Sequence, residues 1–261
     1  MSATAAIHAA GALALAWPAV DGLWVAGLLA ANYATLLVGG LSPRSQLLGP
    51  NLVRLPDAAS KRREVALTFD DGPDPAITPR VLDLLDRAGA KATFFCVGEH
   101  VLAHPSLARE IVSRGHAVES HSHRHSTAFG YYLGAPLRRE LENAQRAIRE
   151  CTGSAPRFFR APFGMRNPSL HAAVIQLGLI YASWTRRGYD SVDGEAARVL
   201  GRLTKGLTAG DVLLLHDGVL QRARREDPTV LRVLPSLLEE LRARGLRSVS
   251  LRQAFSDALA D

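Results

Sequence analysis

Cysteine is nearly absent from this chain. Two residues, Cys96 and Cys151, in a sequence of 261 make no disulfide framework, and neither stands at metal-ligand spacing from a neighbour. Both read as reduced packing residues, Cys96 inside a strand-like run and Cys151 at the end of a helical pattern. Aromatic residues contribute only 6%, and no basic tract is interleaved with them. The net charge of +6 and pI near 9.8 therefore do not describe a nucleic-acid surface. Attraction to an anionic membrane or to a phosphorylated substrate accounts for the excess charge. Solvated helix faces account as well for arginines such as Arg138 and Arg139. Lysine and arginine are also missing ahead of Leu41, which argues against a secretory signal with a charged leading region.

What fills the first forty positions is apolar. Residues 3–20 are Ala-rich and broken by Trp17-Pro18. After Asp21-Gly22, residues 23–41 carry only Asn32, Tyr33 and Thr35 as polar interruptions. That second run is long enough to span a bilayer as a helix, which takes about 20 residues. Residues 1–41 are thus expected to be a membrane anchor, a hairpin of two helices. Residues 42–63, punctuated by Pro43, Gly49-Pro50 and Pro56, are expected to be a linker to a catalytic domain over 64–261. Arg44, Arg54, Lys61, Arg62 and Arg63 follow the anchor and none precedes it. The positive-inside rule then puts the domain on the cytoplasmic face of a bacterial-type plasma (inner) membrane, with the periplasmic side as the alternative.

Past Glu64, short apolar runs alternate with helical patterns. Runs at 65–69, 92–97, 117–120, 157–159, 179–183 and 212–215, with a last one at 248–251, read as strands. The patterns at 78–88, 105–113, 136–150, 168–177, 195–205 and 229–244 read as helices. In the 136–150 pattern Leu137, Leu141, Ala144 and Ile148 share one face. Such alternation predicts an α/β fold, a deformed (β/α) barrel of about seven strands; a doubly wound sheet is the runner-up. Asp70, His121, Arg160, Trp184 and His216 each fall at or just past the end of a different strand, and a barrel gathers those ends into one mouth.

The polar clusters at those ends carry the chemistry. Thr68-Phe69-Asp70-Asp71-Gly72 holds two adjacent carboxylates, which repel unless a cation offsets them. On an extended backbone neighbours face opposite ways, so Asp71 on a metal would leave Asp70 free as a base beside it. A turn capping the following helix is the plainer reading of Asp-Gly-Pro. His121-Ser122-His123-Arg124-His125 sets three imidazoles within five positions. His121 and His125 would share one face of a helical turn, His121 and His123 one face of a strand, and spacing leaves both metal-binding pairs open. Arg160 sits between Pro156 and Pro162, and His216 follows the apolar residues 212–215, well placed to protonate a leaving group. A carboxylate pair, a histidine cluster, an arginine and a late histidine are the parts of a metal-assisted hydrolase. His8, His100, His104, His116 and His171 fit no cluster and read as structural or surface residues.

Taken in order, TFDDG (68–72), HSHRH (121–125), RAPFG (160–164) and LLHDG (214–218) resemble the motifs of the polysaccharide deacetylases, the NodB homology class or carbohydrate esterase family four. The resemblance implies a deformed (β/α) barrel. It also implies hydrolysis of an N-acyl group, foremost N-acetyl, on an amino sugar of a polysaccharide, oligosaccharide or lipid-linked glycan. It makes Asp71, His121 and His125 the ligands of one divalent ion, zinc first, with cobalt or another divalent ion as alternatives. Asp70 becomes the catalytic base, Arg160 its partner and His216 the general acid. Phe163, where a Tyr is frequent, would lend its backbone N–H to the oxyanion, and Leu214 would line the acyl-methyl pocket. The motif around Trp184 is degraded, since acidic neighbours are usual and Ser183, Thr185 and Arg186 stand here. Asp190 is the candidate carboxylate tuning His216, while Arg186 and Arg187 have no assigned role. The implied partners are an N-acylated amino sugar and membrane lipid, without nucleic acid. Competing classes are an O-acetyl esterase using the same site and a catalytically silent glycan-binding protein on the same fold.

Overall fold

The first strand, β1 (Glu64–Asp70), is buried along its whole length, as the centre of a parallel sheet must be. Its side chains alternate. Val65, Leu67 and Phe69 face outward into a core shared with Val81, Leu85 and Ile111 of the covering helices. Ala66 points inward, where Phe95, Phe158 and Leu214 lie. The remaining strands are β2 (Ala92–Cys96), β3 (Ala117–Ser120), β4 (Phe158–Phe159), β5 (Ile180–Tyr181), β6 (Arg186–Arg187), β7 (Val212–His216) and β8 (Arg247–Ser248). The computed structural model describes residues 6–11, 22–218 and 228–256.

All pairings between these strands are parallel, in the order β5-β4-β3-β2-β1-β7-β6, with β8 joining the start of β1. The register sets Asp70 beside both Phe95 and His216, so the strand ends that carry the polar residues are level. The two edges of the sheet, β5 and β6, are separated in sequence by only four residues, and the chain at 52–54 spans the gap. Leu52 bridges to Ala182 beyond β5 and Arg54 bridges to Asp211 ahead of β7. The expected deformed barrel is what forms.

The helix expected over 136–150 runs two residues further at each end. Gly134–Thr152 buries Leu137, Leu141, Ala144 and Ile148, and ends at Gly153, whose φ of 72° is a left-handed cap suited to glycine. Cys96 and Cys151 are both free thiols.

Residues 42–63, expected as a linker, lie against the barrel. Leu55 and Ala59 of this segment enter the interior cluster, and Asp57–Lys61 is a short helix. Its prolines end local elements, but the apolar residues between them still pack. Ahead of it, the helix Gly22–Leu41 is long and apolar enough by length and composition to cross a membrane. Helical residues 6–11 run alongside it, with Gly11 near Val25 and Leu29, and His8 bonded to Tyr33 at 2.8 Å. The break at Trp17-Pro18, like most of the first apolar run, lies outside the described residues.

Candidate active site

At the end of β1 the backbone turns sharply, with Asp71 at a φ of 74°. Left-handed geometry is uncommon outside glycine, and here it replaces the opposed orientation that an extended chain would impose. Both carboxylates therefore approach one imidazole: His121 Nε2 lies 3.3 Å from Asp71 Oδ1 and 3.8 Å from Asp70 Oδ2. A Cβ at Gly218 would collide with the Asp71 carbonyl, so glycine there gives the turn its room.

His121 and His125 occupy neither a helix nor a strand. They lie in the loop after β3, where Ser122 and His125 have φ values of 66° and 51°. Ser122 Oγ accepts from the His125 N–H at 3.0 Å, and Glu140 Oε1 accepts from the N–H groups of His123 and Arg124 at 2.9 and 2.6 Å. The loop brings His125 Nε2 to 3.2 Å from the same Asp71 oxygen, while His123 turns away against Gly98. His121 Nδ1 donates to the Arg160 carbonyl at 2.9 Å, which orients Nε2 toward Asp71.

The ligand atoms of Asp71, His121 and His125 all lie within 4.8 Å of one another. One carboxylate and two imidazoles form a donor set that fits zinc, cobalt or a similar divalent ion. Burial pushes the Asp71 carboxyl up, yet the hydrogen bond from His121 and the charges of His216, His121 and His125 hold it well below the usual carboxylate range. His125 is lowered to about 4 by burial and by neighbouring His121. Ligation needs an anionic carboxylate beside two neutral imidazoles. Burial disfavours the charged form of His121, yet Asp70 and Asp71 raise it, so an ion would have to displace its proton.

Two further pairs flank this cluster. Arg160 is fully buried, with Nη1 donating to Asp70 Oδ1 at 2.6 Å and to Thr68 Oγ1 at 2.9 Å, and Nη2 donating to the Ser183 carbonyl at 2.8 Å. Its guanidinium also stacks 4.0 Å above the Phe95 ring. On the other side, both oxygens of Asp190 hold His216: Oδ2 accepts from its backbone N–H and Oδ1 from Nδ1, each at 2.9 Å. Burial disfavours the charged imidazole, but the Asp190 carboxylate outweighs it and raises His216 to about 9.

A pocket of about 30 Å³ opens at the centre, enough for one or two waters. Asp70, Asp71, His121, His125, Phe163, Trp184, Leu214 and His216 all line it, with Phe163 left-handed at a φ of 59° and its ring 4.8 Å from His125. Arg160 and Asp190 stand behind it, each holding a lining residue. Gly164, Arg187 and Ser191 also line it, and sequence reasoning missed them.

Fold and site together define a parallel β/α barrel with a carboxylate–histidine cluster at the C-terminal ends of its strands. The family model described as polysaccharide deacetylase matches residues 57–182. Over 202 residues the chain is 35% identical to the chitooligosaccharide deacetylase of Bradyrhizobium sp. (strain ANU 289), covering 74% of this chain and 91% of that protein. It is 30% identical, also over 202 residues, to a peptidoglycan-N-acetylglucosamine deacetylase of Bacillus cereus, covering 76% and 90%. Among solved structures, the family 4 carbohydrate esterase from Streptomyces lividans in complex with acetate aligns with a TM-score of 0.63 and 31% identity, covering 71% of this chain and 91% of that one. The chain belongs to the polysaccharide deacetylase family.

Proposed function

We propose that this protein is a membrane-anchored, metal-dependent hydrolase that removes the N-acetyl group from an amino sugar. The observation that carries the reading is one pocket in which Asp70, steadied by Arg160, and His216, steadied by Asp190, flank the Asp71–His121–His125 cluster. Those three residues would hold the ion, and a divalent ion there supplies Lewis acidity toward the acyl carbonyl and the attacking water. Asp70 accepts a proton from that water as its oxygen bonds to the carbonyl carbon. The Phe163 N–H donates to the oxyanion that develops. The carbon–nitrogen bond then breaks with its electron pair passing to nitrogen, and His216 supplies the proton that lets the amine leave. Leu214 and Trp184 form the apolar wall for the acyl methyl. Acetate and a free amino sugar result.

A protonated His216 suits an amine leaving group, which cannot depart as an anion, better than the alcohol of an O-acetyl ester. We read Gly22–Leu41 as the anchor in a bacterial-type inner membrane. The arginines and lysine that follow it support a cytoplasmic barrel.

The test is acetate release from an N-acetylglucosamine oligomer by enzyme stripped of metal and reloaded with zinc or cobalt. Release is expected to depend on the ion. Asp70→Asn is expected to retain metal and lose about 10²–10⁴ in turnover, and His125→Ala to lose the metal itself. Full turnover in both variants would remove this mechanism, and faster release from a matched O-acetyl sugar would make the protein an esterase.

A further inference from the structure

Next to the catalytic pocket lies a second cavity of about 350 Å³ that shares Trp184 and Arg187 with it. Five arginines line this cavity, Arg44, Arg54, Arg186, Arg187 and Arg202, against a single carboxylate, Asp211. Three of the five are engaged. Arg54 and Arg186 each hold an oxygen of Asp211 at 2.6 Å, and Arg202 bonds Asp193 at 2.8 Å. The other two are different. Among the described residues Arg187 has no hydrogen-bond or carboxylate partner, and its Nε is buried without an acceptor. Its guanidinium lies over two rings, 5.4 Å from the Trp184 centroid and 4.7 Å from that of Tyr189. Arg44 is exposed and likewise without a described partner.

A guanidinium stacked in place, facing a cavity and lacking a counter-charge is prepared for an anion. One carboxylate ligand would neutralise only one of the two unpaired arginines. A phosphate matches both charges and takes the guanidinium fork in bidentate fashion. We propose that this cavity is a phosphate subsite, so that the substrate is a phosphorylated N-acyl amino sugar whose acyl group enters the adjoining pocket. The assignment of the acyl group rests on the deacetylase reading; the phosphate site itself does not. Arg44 stands three residues past Leu41, where the candidate membrane helix ends, so a lipid-carried sugar phosphate and a free one can both reach it.

The experiment is calorimetric titration of the full chain in detergent with N-acetylglucosamine 1-phosphate and with N-acetylglucosamine, metal-stripped so that no ion competes for the phosphate. The phosphorylated sugar is expected to bind about tenfold or more tightly, the value of one hydrogen bond to a charged group. Arg187→Ala is expected to erase the preference, and Arg44→Ala to reduce it. Arg187→Gln keeps most of the side-chain volume and serves if the alanine variant does not fold. Equal affinity for the two sugars in the wild type, or a preference intact in a folded Arg187 variant, overturns the subsite. Competition by polyprenyl-phosphate-linked N-acetylglucosamine in bilayer discs identifies the source. Stronger displacement than by the free sugar phosphate assigns a lipid carrier, and equal displacement a soluble substrate, with the phosphate site standing in either case. Because binding is read without turnover, a metal-loaded enzyme that releases no acetate would sink the deacetylase reading and leave the phosphate result intact.

Discussion

Desolvation alone would strip His216 of its proton at neutral pH. Asp190 reverses this by taking both the ring Nδ1–H and the backbone N–H, and the imidazole is raised to about 9. A histidine whose folded value lies above its unfolded 6.5 stabilises the fold fully below 6.5 and loses that contribution as pH climbs through about 9. As a proton donor it would keep working over that same window. In Asp190→Asn burial is opposed only by the more distant charges of Asp71 and Asp70, so the proton is held less tightly. The alkaline limb of the kcat profile is then expected to move to lower pH, and an unmoved limb would mean that another group is the acid. Asp190 was legible in the sequence because it falls six residues past Trp184 in a degraded motif. Asp70, His121, Arg160 and His216 were legible because each is a polar residue closing an apolar run. Arg187 was not, since what singles it out is the absence of a partner, a property of neighbours far apart in the chain.

The element that matters most for the ion is a loop with no periodicity. Residues 121–125 hold two of the three prospective ligands at left-handed or irregular angles, and Glu140 on the helix Gly134–Thr152 ties that loop down through two backbone N–H groups. The helix itself was plain in the sequence from Leu137, Leu141, Ala144 and Ile148. Its second duty was not, because Glu140 reads there as one more polar position. Left-handed Asp71, Ser122, His125 and Phe163 were hidden for a related reason: the enrichment of Asp and His at positive φ is too weak to mark one position, and Ser122 and Phe163 carry no such preference. This is why spacing left His123 and His125 as equal candidates, and why Asp70 and Asp71 converge on His121 instead of diverging. Outer supports of this kind typically govern metal affinity by about 10–100-fold. Glu140→Ala is expected to weaken zinc by that order in competition with a chromophoric chelator. Glu140→Gln, which keeps an accepting oxygen, is expected to stay near the wild type. Equal zinc affinity in all three proteins would show that the loop holds its shape without Glu140.

At the scale of the whole molecule the question is what closes the barrel. Periodicity could not separate a barrel from a doubly wound sheet, because both alternate strand and helix and differ only in where the sheet edges meet. Here they are joined by the segment that the prolines made look like a linker. Leu52 bridges to Ala182 beyond edge strand β5, and Arg54 bridges to Asp211 ahead of β7, beside the other edge. Leu55 enters the interior, and Arg54 neutralises buried Asp211. The same segment supports the loop that carries Phe163. Arg166, three residues past Phe163, donates to the carbonyls of Ser45, Leu48 and Gly49, and its own N–H bonds Gly40 at the end of the apolar helix. A chain begun at residue 64 would leave that guanidinium without its acceptors and would lose Leu55, whose burial alone is worth about 1.5–3 kcal/mol. A chain begun at residue 42 keeps those side-chain contacts and loses the helices ahead of it together with the Gly40 acceptor of the Arg166 N–H. Chemical denaturation is therefore expected to find the shorter chain markedly less stable, with its acetate release depressed further as the Phe163 loop relaxes. If the two chains matched in stability and rate, residues 42–63 would be a tether after all, and the barrel would close without them.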